Sequence, residues 1–224
     1  MTMDIARLTY YRRLARQGNG AARRVADEFN PDQPREADGK WGAGGSGGRT
    51  GSEMSADVAD AIKTREARIV DWPKEHAFGM RNDGTVVCSK NGETSRVHFE
   101  PEEIAKFQDA TLTHNHPSGN SLSMPDVNIA IEANMASMRA VGRDKVDGKV
   151  YVYSVNRPDR GWPRGLEDTA VEAKITVENR IMGLVRSNQM NEKEAIGTLA
   201  RGHEFWTNVQ SRMDIGYRRE EVKP

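Results

Sequence analysis

A chain of 224 residues has room for one medium domain with extensions or for two small ones. Its 33 acidic and 33 basic residues cancel, which leaves no global charge to draw in nucleic acid or a membrane surface, and no apolar run reads as a signal peptide or a transmembrane helix. The single cysteine, Cys88, excludes an internal disulfide framework and suits a reducing compartment. It sits in the strand-like run 85–89, where a buried thiol is expected rather than a nucleophile.

Residues 1–29 read as an amphipathic helical arm. Asp4 can cap it, Ile5, Leu8, Tyr11 and Leu14 share one side, and Arg12, Arg13, Arg16, Arg23 and Arg24 occupy the rest. Such a face docks another protein or an anionic surface, or else folds back on its own chain with the arginines solvated. Residues 30–53 contain Gly-Ala-Gly-Gly-Ser-Gly-Gly, whose ordering entropy marks a flexible linker, so a domain is expected over 54–224. Within it, Ser55 can cap a helix through Val58, Ile62 and Ala67 that ends before Pro73. Strand-like runs at 75–80, 85–89 and 95–99, separated by Asp83-Gly84 and Asn91-Gly92, predict a β-meander. A helix over 101–107 then leads into an apolar strand at 110–113.

That strand runs into Thr113-His114-Asn115-His116-Pro117-Ser118-Gly119-Asn120-Ser121-Leu122-Ser123-Met124-Pro125-Asp126. Residues two apart on a strand share a side roughly 7 Å apart, so both imidazoles can reach one ion. A carboxylate at Asp126 can supply a third ligand and leave a fourth position open for water, the ligand count of a catalytic zinc. Plainer readings coexist with this one. A His-x-His pair alone says little, Pro-Ser-Gly-Asn is ordinary turn chemistry, and Ser123 to Asp126 is a capping box with a proline in the first turn. The cap is compatible with a site, since it fixes the serine and the aspartate at a helix start.

Taken together the stretch resembles the JAMM (MPN-plus) metalloproteases, whose motif is an upstream glutamate, His-x-His-Pro, a spacer, and Ser-x-x-Asp. His-Asn-His-Pro-Ser-Gly is similar to the RadC-type bacterial branch and to related domains of tailed phages. Five residues separate Pro117 from Ser123, one fewer than in the eukaryotic deubiquitinating members, so ubiquitin specificity does not carry across directly. The resemblance implies an α/β fold, a mixed sheet flanked by helices of the cytidine-deaminase-like kind. It implies Zn²⁺ held by His114, His116 and Asp126, with Glu75 as general base and Ser123 as oxyanion donor. Glu75 matches the family glutamate best by position; Glu93 lies in a turn-like stretch and Glu100 at a helix start, where it suits the helix dipole. The implied activity is hydrolysis of an amide bond in a polypeptide, peptide or ubiquitin-like substrate. Residues 30–42 resemble junctions in tailed-phage structural proteins, which implies a viral or prophage origin, a place in the host cytoplasm or the virion, and phage structural proteins as partners of the arm. The alternative is a non-catalytic structural or adaptor protein that keeps the fold.

Beyond the motif, Ile129, Ile131, Met135 and Met138 predict one apolar side of a helix over 127–140, and 150–155 predicts a strand. Val177, Ile181 and Leu184 form a further stripe. Asn191 and Glu194 form a second capping box, opening one helix with Ile196, Leu199, His203, Trp206 and Val209 on one side. His203 is expected to pack rather than to ligate, and His76 and His98 read as ordinary strand neighbours. The C-terminal helices either cover the sheet or guide substrate.

Overall fold

The structure is a computed structural model in which residues 54–222 are described. The arm and linker expected over 1–53 lie outside the described residues. Helix α1 (Ala56–Ile69) opens on Ser55, whose hydroxyl accepts the Val58 N–H at 3.3 Å, and it buries Val58, Ile62, Glu66 and Ile69. That spacing makes one core-facing stripe, and the helix stops ahead of Pro73. Strands β1 (His76–Arg81) and β2 (Val86–Asn91) then pair antiparallel across a turn in which Gly84 takes φ 85°.

The run 95–99, expected as a third strand, is not one. The Glu93 N–H donates to the Arg96 carbonyl at 2.8 Å and closes a tight turn, after which Val97 and Phe99 face inward while Arg96 and His98 stay exposed. The alternation is real, but it records half-burial against the core without a hydrogen-bonded neighbour. Helix α2 (Pro101–Ile104) and a 3-10 turn (Ala105–Phe107) follow, and they deliver the chain to β3 (Ala110–Asn115), buried throughout.

The helix expected over 127–140 is two elements. Helix α3 (Met124–Glu132) ends, Asn134 takes φ 48°, and β4 (Ser137–Arg143) begins. Met135 lies in the connection and Met138 on the strand, both buried. Apolar residues at helical spacing do not distinguish one long helix from a short helix followed by a strand. Strand β5 (Val150–Asn156) falls where it was expected, and α4 (Leu166–Arg186) buries Val177 and Ile181. The last helix is also divided: α5 (Glu192–Arg201) and α6 (His203–Arg212) meet at Gly202, whose φ of 71° ends one helix and starts the next. Their sides differ accordingly, with Ile196 and Leu199 exposed and Trp206 and Val209 in the core. An edge strand with no apolar alternation, β6 (Arg218–Val222), closes the sheet and was not anticipated.

The sheet runs in the order β2-β1-β3-β4-β5-β6, parallel only between β3 and β4. This is the expected mixed α/β architecture. On one face α1 packs Val58 and Ile62 on Phe78 and Met80, and Ile69 on Val141 and Val152. On the other, α3 and α6 set Val127, Ala130, Trp206 and Val209 against Leu112, Met138 and Tyr153. Among the described residues no helix is long and apolar enough to cross a membrane.

Under α1 the carboxylate of Glu66 accepts from Arg139 Nε at 2.7 Å and Nη2 at 3.1 Å, and from the Thr113 hydroxyl at 2.8 Å. Removing one partner of a buried ion pair strands the other charge and costs roughly 3–5 kcal/mol. Glu66→Ala is therefore expected to lower the unfolding free energy by about that much in urea denaturation. The double variant Glu66→Leu/Arg139→Met, with no stranded charge, is expected to recover most of it.

Candidate metal centre

Strand β3 carries His114 near its end, and His116 follows just beyond. The two imidazoles turn to one another with their Nε2 atoms 2.8 Å apart, and both residues are buried. The chain then crosses to α3 through a loop that passes hard against β4. A Cβ on Gly119, at φ 77°, would lie 2.1 Å from the Arg143 carbonyl oxygen, so only glycine fits there. The capping box forms at the start of α3. Asp126 accepts the Ser123 N–H at 2.6 Å, and the Ser123 hydroxyl accepts the Asp126 N–H at 3.3 Å.

The cap aims Asp126 back at the strand. Its Oδ1 is 3.5 Å from His114 Nε2 and its Oδ2 is 3.7 Å from His116 Nε2. From the head of β1, Glu75 brings Oε1 to 4.0 Å from His116 Nε2. Glu75, His114 and His116 thus lie close enough to hold one metal ion, with ligand atoms all within 4.8 Å of one another. Adjacent ligands on a tetrahedral ion at ~2.0–2.1 Å are themselves ~3.4 Å apart. The separations within His114, His116 and Asp126 bracket that value, and Glu75 stands just outside the triangle.

The geometry at His116 has support behind it. His116 Nδ1 donates to the Asn120 carbonyl at 3.0 Å, which fixes the tautomer and leaves Nε2 as the free donor atom. His114 Nδ1 is buried with no hydrogen-bond partner among the described residues. The loop itself is tied to the C-terminal elements. The Ser121 N–H donates to the Arg201 carbonyl at 2.8 Å, the Trp206 indole to the Leu122 carbonyl at 2.6 Å, and the Ser121 and Tyr217 hydroxyls meet at 3.1 Å. None of these supports was visible in the sequence, because a backbone carbonyl leaves no mark on residue identity.

The charges respond to burial and to each other. Burial pushes the Glu75 carboxyl up to about 7, against the pull of His114 and with a further push from Asp126. Burial and then the charge of His114 push His116 down to about 4. For His114 burial works against the charged form, yet Asp126 and Glu75 outweigh it and raise the pKa. Asp126 is likewise opposed by burial, but His114, His116 and the Ser123 hydroxyl hold it well below the usual carboxylate range. The site opens into a cleft of about 720 Å³ with Val97, Phe99, Leu122 and Ile129 among its walls and Ser123 at its edge.

The other candidates lie elsewhere. Glu93 is exposed and pairs with Arg96 at 2.9 Å, and Glu100 is exposed beside His98. His76 pairs with Asn91 at 2.7 Å, and His203 with the Tyr217 hydroxyl at 3.0 Å.

Titration with cobalt(II) is expected to show one ion per chain, with binding weakened at least a hundredfold in His114→Ala. His114, whose pKa is raised, must give up a proton to bind, so apparent affinity is expected to fall as pH falls below neutral, by up to about tenfold per unit for each proton displaced. A flat pH profile of affinity would contradict the raised pKa of His114. No protein-family model, no curated protein and no solved structure matches the chain.

Proposed function

We propose that the chain is a zinc-dependent peptidase or isopeptidase that hydrolyses an amide bond, on a fold of the JAMM type. Two imidazoles and a carboxylate suit zinc by donor type and number. The observation that carries the reading is the placement of Glu75, a buried carboxylate 4.0 Å from His116 Nε2, beside that donor set. A metal site that only stabilises a fold is closed by its ligands; in this reading Glu75, which lines the cleft, stands beside the ion as an acid and does not close it as a fourth ligand.

When bound, the ion supplies Lewis acidity that brings the pKa of water from ~15.7 toward ~7. Glu75 takes the proton as water attacks the amide carbon and returns it to the leaving nitrogen when the C–N bond breaks. A carboxyl raised by burial toward neutrality is matched to that double duty. Ser123 borders the cleft, and its hydroxyl, whose one proton goes to Asp126 Oδ2 at 2.7 Å, would turn from that carboxylate to the developing oxyanion, a bond worth roughly 3 kcal/mol at comparable sites. His114, His116 and Asp126 would hold the ion. The phage resemblance of residues 30–42 makes an infected cell or a phage particle the proposed setting.

The test uses zinc-loaded full-length protein with fluorescein-labelled casein and lysine-linked diubiquitin as probes. Glu75→Gln is expected to keep its zinc and lose cleavage by roughly 10²–10⁴-fold. Cleavage that survives Glu75→Gln or exhaustive chelation contradicts the proposal. Stoichiometric zinc without any cleavage favours the adaptor reading.

A further inference from the structure

We propose that Asn115, the residue between the two histidines, is a positioning residue that holds Glu75 in place; this rests on the catalytic reading of Glu75 above. Alternation along β3 sends His114 to the cleft side and Asn115 to the opposite face, where its side chain is fully buried. There Asn115 Oδ1 accepts the His76 N–H at 2.7 Å, and its Nδ2 donates to the carbonyls of Trp72 and Lys74, both at 3.1 Å. These partners fix the amide orientation. Reversed, it would set an NH₂ against an N–H and an oxygen against two carbonyls.

One side chain therefore grips the backbone immediately before and immediately after Glu75. The pairing of β1 with β3 ends at Ala77 opposite His114, so the ladder does not reach residues 72–76. Beyond that point the His116 N–H is turned to Val141 of β4. The Asn115 amide takes over the missing rungs. On the other edge Glu75 is held by its own backbone, its N–H donating to the Glu93 carbonyl at 2.7 Å and its carbonyl accepting the Gly92 N–H at 2.8 Å. The general base is thus fixed from both sides, and the fixing group sits in the same three residues as two of the proposed ligands. Strand geometry alone then couples the base to the metal, since any shift of β3 carries the histidines and the Glu75 clamp together.

The test compares zinc-loaded wild type with Asn115→Ala and Asn115→Asp, the latter keeping the acceptor for the His76 N–H and losing both donations. In Asn115→Ala, kcat on labelled casein is expected to fall ten- to a hundredfold, as about 1 Å of misplacement does. KM and zinc affinity are expected to stay within twofold, and the His76 amide to exchange at least tenfold faster. Asn115→Asp, which sets an oxygen against the Trp72 and Lys74 carbonyls, is expected to lose at least as much kcat as the alanine variant, and Asn115→Ser carries the comparison if neither folds. An unchanged kcat overturns the proposal, as does a loss of zinc affinity matching the loss of rate, which would make Asn115 a support of the ligands. If the wild type cleaves no probe, catalysis fails, and positioning is decided by the crystal structure of the zinc-loaded variant. Displacement of Glu75 Oε1 from His116 Nε2 by more than 1 Å supports it, and an unmoved Glu75 overturns it.

Discussion

Two imidazole nitrogens 2.8 Å apart, with two carboxylates within 4.0 Å, form a cluster that a protein interior tolerates poorly. Each buried charge forfeits several kcal/mol of hydration, and nearby opposite charges return that only when the geometry is good. The shifts at the site express the conflict: Glu75 tends to keep a proton, His116 tends to shed one, and Asp126 stays ionised by leaning on His114 first, with help from His116 and the Ser123 hydroxyl. A divalent cation bound among these side chains would relieve all three at once. It would favour neutral imidazoles and ionised carboxylates, and the Ser123 cap already favours the ionised state at Asp126.

The rest of the domain reads as the apparatus that enforces this cluster. A fully buried strand between one antiparallel and one parallel neighbour fixes the register of the histidines. A glycine with no room for a Cβ lets the following loop press against β4, and a capping box converts the start of α3 into a carboxylate mount. The C-terminal elements matter for the same reason. Helices α5 and α6 and the segment before β6 grip the loop at Ser121 and Leu122, so the half of the domain farthest along the chain holds the ligand loop closed.

Much of this was legible in the sequence, and the limits have physical causes. The strand carrying His114, the turn at Asp83-Gly84, and both capping boxes are written in local side-chain chemistry, and the structure contains them. The spacing of His114, His116 and Asp126 pointed to one locus, and the structure brings them together with Glu75. What escaped depends on partners distant in the chain. Strand β4 was hidden because Met135 and Met138 continue a helical spacing from α3. Strand β6 was hidden because Arg-Arg-Glu-Glu-Val has no apolar alternation and owes its conformation to pairing with β5. Residues 95–99 misled in the opposite direction, alternating without a ladder. Gly202 divides a helix that stripe counting joined, and the role of Asn115 lies in backbone groups forty residues upstream.

The most direct test of the central claim is diffraction from crystals of the zinc-loaded protein at wavelengths on either side of the zinc absorption edge. The account predicts one anomalous peak bonded to His114 Nε2, His116 Nε2 and an Asp126 carboxylate oxygen, with Glu75 beside the remaining coordination position. A peak elsewhere, or a fourth protein ligand closing that position, would contradict it.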